Sequence, residues 1–433
     1  MPDRKKVLYK NAKIYQGTSD GIEGCRLVTG ELETTGNKIT YCGPERTKET
    51  GEDKDIQVYD LKGNLILPGF KNVHTHSAMT FLRSYADDLP LDRWLNEQVF
   101  PMEAKLTGED IYWLTKLAIL EYLTSGITCG FDMYYEPADI ALACKESGFR
   151  MALCGAVNNF KESTQLLADY YETYNHYDPL ISYHLGAHAE YTMSEPLLKE
   201  IAGLVQHYKA PFYIHNSETQ SEVEGCIERH GMTPVQYLTK LGLYDYGGAG
   251  FHMVYTNEED RRIMKEKGIS VVTNPASNLK LASGIAPIAE YLKAGIPVAI
   301  GTDGPASNNC LDMFREMYLV TALAKVVNKD ASCVPAEAVL SMACENGARM
   351  IGQNHIDGIL EGKTADFVVI DLAQPNMQPQ NHIIKNVVYS GSKQNVIMTV
   401  IDGVVKYDHG RFFIGEEPET IYRKANEIIR GME

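Results

Sequence analysis

The sequence predicts an α/β protein: a (β/α)8 barrel of the TIM type, joined to a small β-sandwich built from both ends of the chain. Three observations lead to this. From residue 65 to about 357, apolar strand-like runs alternate with helical patterns, and there are eight such strands. The two ends, 1–64 and 358–433, share another texture, short β-branched runs broken by Gly and Asp. No Gly-x-Gly-x-x-Gly follows the first barrel strand, which argues against a doubly wound open sheet.

Taken in order, the N-terminal segment offers Val7-Leu8-Tyr9, a break at Gly17-Thr18-Ser19-Asp20-Gly21, then Ile39-Thr40-Tyr41-Cys42 and Gln57-Val58-Tyr59. The barrel strands are placed at 65–76, 127–133, 149–156, 180–188, 211–217, 249–254, 269–273 and 297–303. Helical patterns follow at 140–147, 195–208, 223–230, 257–267 and 285–294. In the C-terminal segment, Phe367-Val368-Val369-Ile370-Asp371, Val387-Val388-Tyr389 and 396–401, before a turn at Asp402-Gly403, read as further strands that pair with the N-terminal ones.

Composition narrows the function. The chain has 433 residues, 41 Lys and Arg against 57 Asp and Glu, and a net charge of −16. Such a surface repels phosphate backbones, so nucleic acid is excluded as a partner and a neutral or cationic small molecule is favoured. No run approaches the ~20 apolar residues of a membrane span. The start, Met1-Pro2-Asp3-Arg4-Lys5-Lys6, passes directly into Val7 without an apolar signal core. Nine cysteines are scattered without a Cys-x-x-Cys pair, the pattern of buried thiols in a reducing compartment. A cytoplasmic, soluble protein is expected.

In this fold chemistry sits at the carboxyl ends of the strands. The residues found there are His74 and His76 on the first strand, His188 on the fourth, His215 on the fifth, His252 on the sixth and Asp303 on the eighth. Five of the 12 histidines thus meet at one rim. In His74-Thr75-His76 the two imidazoles are two residues apart and share a strand face. Singly, each of these residues also reads as a polar strand end, a core histidine or, for Asp303, a turn residue beside Gly304. Jointly, His74, His76, His215 and Asp303 fit one metal site with an open position. The fourth strand has no lysine to bridge two metals, so a single ion is expected. Glu218, three residues past His215, has two readings. It is either a general acid/base over the site or an acidic residue near a helix start, where Ser217 and Gln220 form a capping box. His252 reads as a core histidine or as a residue supporting the metal site.

These residues carry a family resemblance. Leu67-Pro68-Gly69-Phe70 with His74-Thr75-His76, His215-x-x-Glu218, His252 and Gly301-Thr302-Asp303-Gly304 resemble the amidohydrolase superfamily, in its mononuclear deaminase and chlorohydrolase branch. Longer stretches, 83–91, 274–281 and 301–309, are similar to the 5-methylthioadenosine/S-adenosylhomocysteine deaminase family, and the likeness covers essentially the whole chain. The resemblance implies His74, His76, His215 and Asp303 as ligands of one divalent ion, zinc first and iron second. It implies Glu218 as proton shuttle and His252 as the residue that orients the attacking hydroxide, with Asp303 taking the proton of the water as that hydroxide forms. Glu103 would grip the ribose hydroxyls, a task suited to two acceptor oxygens. Read alone, Glu103 is a surface helix residue. His188 would contact substrate. Segment 81–100, with Leu82, Tyr85, Leu89, Leu91, Trp94 and Leu95, either covers a thioether tail or packs on the barrel as an amphipathic helix. A homodimer or tetramer is also implied.

One departure stands out. Family members place a substrate-contacting arginine just past the third strand; Gly155 stands there, and Lys161 is the one Lys or Arg between 151 and 180. This bears on an amino-acid-tailed substrate and leaves the deaminase chemistry unaffected. The expected reaction is hydrolytic deamination of an adenosine derivative. Its rivals are deamination or dechlorination of another aminated heterocycle (guanine, pterin, triazine), and, from a different class, a catalytically silent metal- and nucleoside-binding protein.

Overall fold

The computed structural model describes residues 5–18, 25–46, 56–90 and 93–432. Residues 1–4, positions 19–21 of the predicted break, and Leu91 lie outside the described residues. Two sheets organise the chain. The first begins with β1 (Lys6–Thr18), β2 (Cys25–Thr35), β3 (Lys38–Gly43), β4 (Ile56–Asp60) and β5 (Leu65–Pro68). The second is the barrel: β6 (Phe70–Thr75), β7 (Ile127–Met133), β8 (Arg150–Cys154), β9 (Ile181–Ala189), β10 (Phe212–Asn216), β11 (Gly248–His252), β12 (Ile269–Thr273) and β13 (Val298–Ile300). The chain then returns to the first sheet with β14 (Phe367–Ile370), β15 (Val396–Ile401), β16 (Val404–Asp408) and β17 (Arg411–Phe412).

The eight barrel strands pair in sequence order, all parallel, with helices between them. Residues on their inner faces, among them Val73, Phe131, Tyr213, Phe251 and Val272, fill the interior with side chains. The seam between β6 and the segment after β13 closes next to the histidines. Asp303 N donates to His74 O at 2.9 Å, while Asn72 accepts from Thr302 N at 2.8 Å and donates to Thr302 Oγ1 at 2.7 Å. Gly301 permits this approach, since a Cβ there would lie 2.8 Å from His74 Cβ.

The nine strands of the first sheet run in the order β17-β16-β15-β14-β5-β1-β2-β3, with β4 also on β1. Both chain ends therefore build one sheet, as their common texture predicts. It curls over its own core of Tyr9, Ile14, Leu32, Ile66, Phe367 and Val400. Two expectations change. The run 65–76 is not one strand: β5 pairs with β1 and β14, and only β6 enters the barrel. Val387-Val388-Tyr389 is not a strand but the end of a helix, Ile383–Tyr389. There Ile384, Val387 and Val388 fall on one helical face and are buried, so tertiary packing overrides β-propensity. No described helix is long and apolar enough to cross a membrane. The eight cysteines with described side chains are free thiols.

Candidate active site

The barrel brings the predicted residues to one rim. Ligand atoms of His74, His215, His252 and Asp303 all lie within 4.8 Å of one another. His76 stands beside this set, its Nε2 3.2 Å from Asp303 Oδ1, with His74 Nε2 3.4 Å from the same oxygen. His252, expected to orient an attacking group, thus lies inside the tightest cluster.

Hydrogen bonds on the far side of three of the rings fix their orientation. His76 Nδ1 donates to Met133 O at 2.6 Å, His215 Nδ1 to His188 O at 2.7 Å and His252 Nδ1 to Asn278 Oδ1 at 2.7 Å. With each Nδ1–H so engaged, the Nε2 lone pairs are free to face the centre. His74 lies flat on Phe251, ring centroids 4.0 Å apart, and both its nitrogens are buried without a hydrogen bond. Buried imidazole nitrogens without partners are costly, and a lone pair facing a carboxylate oxygen needs a cation between them. The donor set therefore fits a single divalent metal ion of the type that imidazole and carboxylate bind.

Electrostatics agree. Burial lowers the His74 pKa to about 3 and that of His215 well below its usual value, keeping both rings neutral, as ligation requires. Burial opposes charge on Asp303, yet His74 and His76 hold its carboxyl well below the normal range. Burial also opposes charge on His76, but the Asp303 carboxylate beside it raises the pKa of that ring.

Strain accompanies the chemistry. Ser217, His252 and Asp303 follow or end strands with φ of 55°, 71° and 58°, left-handed values unusual for residues with a side chain. Asp303 is held hard: Ser277 Oγ and Ser307 Oγ donate to Oδ2 at 2.6 and 2.9 Å, and Gly304 N to Oδ1 at 2.8 Å. Glu218 is buried, accepts from Ser283 Oγ at 2.8 Å, and places Oε2 3.8 Å from His252 Nε2. The expected capping box of Ser217 and Gln220 does not form. Thr219 is the N-cap of helix Gln220–His230, and Glu222 turns back to accept from Ser217 N at 2.8 Å and Glu218 N at 2.7 Å. The acceptor is thus two residues further along than the pattern reading placed it, because the strained Ser217 delays the helix start.

A cavity of about 640 Å³, counting the space open to solvent, lies above this cluster. His74 lies beneath it; every other residue singled out above as a ligand, catalytic or substrate residue lines it, including Glu103 and His188. Glu103 is no surface residue. It is 6% exposed, burial raises its pKa, and its Oε1 has no hydrogen-bond partner. His188 Nδ1 meets Thr192 Oγ1 at 3.1 Å, and burial lowers its pKa to about 4. Of segment 81–100, Trp94, Leu95 and Phe100 reach the cavity, while Leu82 and Leu89 pack on the core. The segment therefore packs on the barrel and also contributes to the cavity wall.

A second lobe of about 440 Å³ shares Phe100, Glu103 and Tyr135 with the first and adds Asn158, Phe160 and Lys161. Asn158 Oδ1 accepts from Phe160 N and Lys161 N at 2.8 and 2.9 Å, and Asn158 Nδ2 donates to Tyr135 Oη at 3.0 Å. Lys161 Nζ sits over the Tyr135 ring, 4.2 Å from its centroid. Gly155 has no space for an arginine: its Cβ would lie 2.3 Å from Leu167 Cδ1 and 2.9 Å from Gly186 O. Sequence reading missed Tyr134, Tyr135, Ser277, Ser283 and Glu222. Ser277 lay within a stretch already singled out, while the tyrosines, just past the second strand, carried only their strand-end position as a signal.

The comparisons with known proteins agree with this geometry. The model of the amidohydrolase family matches residues 65–406. A 5-methylthioadenosine/S-adenosylhomocysteine deaminase of Thermoanaerobacter pseudethanolicus is 39% identical over 91% of this chain and 93% of its own length. The crystal structure of an adenosine deaminase from Xanthomonas campestris with bound zinc superposes with a TM-score of 0.90 at 30% identity, covering 98% of each chain. An atrazine chlorohydrolase from Arthrobacter aurescens complexed with zinc shares the fold, with a TM-score of 0.88 at 20% identity over 98% of this chain and 100% of its own. With the family match spanning the barrel, and relatives alike over nearly their full length, this chain belongs to the amidohydrolase family.

Proposed function

We propose that this protein is a zinc-dependent hydrolytic deaminase of 5′-modified adenosines, yielding an inosine-type product and ammonia. The observation that carries the reading is that one cavity holds the histidine–aspartate cluster, Glu218, and the buried, unpartnered oxygen of Glu103. His74, His76, His215 and Asp303 would hold the ion. His252 is set apart from them because its Nε2 faces Glu218, so it serves the reacting oxygen. When bound, such an ion lowers the pKa of water from 15.7 toward about 7.

The chain's own groups then move the protons. Asp303 takes a proton from the attacking water while the two serines hold its carboxylate in place. Glu218, fixed by Ser283 and by the Glu222 bonds to its backbone, delivers a proton to the ring nitrogen next to the carbon attacked. This keeps negative charge from building on the purine as the tetrahedral carbon forms. The amino group leaves as ammonia after gaining the proton from Asp303, and the hydroxyl on the same carbon gives its proton back to Glu218 as it becomes the carbonyl. Glu103 would accept from the ribose hydroxyls, which supplies its missing partner. Trp94, Leu95 and Phe100 would cover the apolar 5′ substituent, and Lys161 in the second lobe is the cation available to a charged tail.

The test is an ultraviolet assay of zinc-loaded protein with adenosine, 5′-methylthioadenosine, 5′-deoxyadenosine and S-adenosylhomocysteine, following adenine conversion to hypoxanthine. Turnover of one or more of the four is expected. Silence on all, with turnover of guanine, a pterin or a triazine, would move the reading to that heterocycle. Stoichiometric zinc without any turnover would leave a silent binding protein.

A further inference from the structure

Helix Met313–Asn328 does not reach the cavity, yet its Glu316 is fully buried, at 0% exposure. The two carboxylate oxygens take different partners. Oε2 accepts from Ala276 N at 3.0 Å, and Oε1 accepts from Asn308 Nδ2 at 2.8 Å. Ala276 immediately precedes Ser277, and Asn308 immediately follows Ser307. These are the two serines whose hydroxyls converge on Asp303 Oδ2. Asn308 Nδ2 also donates to Thr302 O at 2.7 Å, directly before Asp303. One carboxylate thus ties the segments after β12 and β13 together at the points where they grip Asp303.

Keeping a carboxylate there is expensive. Burial raises the Glu316 pKa, and the Ala276 amide and the Asn308 side chain, each donating to one oxygen, offset that cost by favouring the charged form. An apolar side chain would pack the helix without that cost. What it would not supply is an acceptor for two donors on two different loops.

We propose that Glu316 is a positioning residue for Asp303, acting through Ser277 and Ser307 to present Oδ1 to the metal ion. The inference rests on the metal reading of the cluster and not on which heterocycle is the substrate.

The experiment measures zinc affinity by chelator competition, the melting temperature of the metal-free protein, and kcat and KM on the best substrate. Glu316→Gln keeps the shape but turns an NH2 group toward one of the two donors. It should weaken zinc binding about 10- to 100-fold, the usual cost of losing an outer-shell partner, and lower kcat more than it raises KM. Ser277→Ala/Ser307→Ala removes only the two hydroxyls and should weaken zinc binding in the same range. Adding Glu316→Gln to the serine pair should cost little more, because its route to Asp303 is already cut. Full multiplication of the two effects would overturn the proposal, as would wild-type zinc affinity in either variant. If Glu316→Gln fails to fold, the serine pair decides alone: unchanged zinc affinity there ends the proposal. A wild-type protein that holds no zinc would overturn the metal reading and this inference together, whereas zinc binding without turnover would remove only the substrate assignment.

Discussion

At the amino-terminal end of the barrel, Arg150 opens β8 and forms a two-pronged bond to Asp366, Nε to Oδ2 at 2.8 Å and Nη2 to Oδ1 at 3.1 Å. Nearby Lys71, fully buried, donates to Gly69 O at 2.6 Å, and burial lowers its pKa. At the carboxyl-terminal end, His74 has two buried nitrogens without a hydrogen bond and Glu103 a buried oxygen without one. Both ends bury charge and polarity. The floor ties its buried cations to a carboxylate and a carbonyl, while the rim gathers imidazoles and carboxylates around a cavity. Unpartnered buried hydroxyls also occur in the scaffold, at Tyr9 and Thr128 for example, so it is the convergence of ionisable groups on one cavity that separates the chemistry from the scaffold.

The largest effect that should separate the two ends is on turnover. Glu218→Gln at the rim should lower kcat by about two to four powers of ten, the usual range for a general acid/base. Zinc content and melting temperature should stay near wild type, because Glu218 is not among the proposed ligands. Near-wild-type kcat in a zinc-replete variant would remove Glu218 from the mechanism.

The matching change at the floor is Arg150→Met. It leaves Asp366 buried with one remaining donor, Asp402 N at 2.7 Å. Breaking one side of a buried ion pair costs about 3–5 kcal/mol of stability, read from denaturant midpoints. The folded fraction should keep its kcat. A variant that loses turnover while keeping its midpoint would join floor and rim and dissolve the contrast.

How much of this was legible beforehand follows from the same distinction. The barrel and the rim histidines could be read because strand ends are marked by hydrophobic runs that stop at a polar residue, and His74, His215 and Asp303 stop theirs. Glu103 could not be read from pattern alone: in Phe100-Pro101-Met102-Glu103 it looks like any acidic helix residue, and only the family resemblance singled it out. Glu222 carries a spacing signal, three residues after the N-cap Thr219, that competes with the Ser217 and Gln220 pair. Glu316 carries none: it acts on two neighbouring loops, and no spacing in the sequence records that this helix glutamate points inward. Val387-Val388-Tyr389 reads as a strand by its β-branched composition, yet the Ile384, Val387, Val388 spacing is the one that buries a helix face.

A smaller effect should appear where the cavity opens. Phe160 is 87% exposed at the mouth, and Lys161 rests on Tyr135 without an ion pair among the described residues. Lys161→Met should lower kcat/KM for S-adenosylhomocysteine about two- to five-fold, the worth of an exposed ion pair, and leave 5′-methylthioadenosine unchanged. The difference should shrink as salt is added. Equal losses on both nucleosides would mean that Lys161 shapes the lobe and does not read the tail.

The slightest effect belongs to the barrel interior between the two ends. His184 packs near Phe131 and Tyr213, with ring centroids 5.2 and 5.3 Å away, and burial lowers its pKa from 6.5 to about 4. In the unfolded chain the same ring titrates near 6.5. Between those values the unfolded state binds more protons, so stability rises with pH across the window. The contribution is fully present above about 6.5 and is lost as the pH falls through about 4. His184→Phe removes this ring while leaving the rim histidines in place, so their own acid sensitivity is common to both proteins and cancels in the comparison. The wild-type melting temperature should therefore fall more steeply than the variant's as the pH is lowered through that window. Parallel profiles would show that His184 takes up its proton in the folded protein as readily as in water, and that the interior between floor and rim is wetter than its aromatic lining implies.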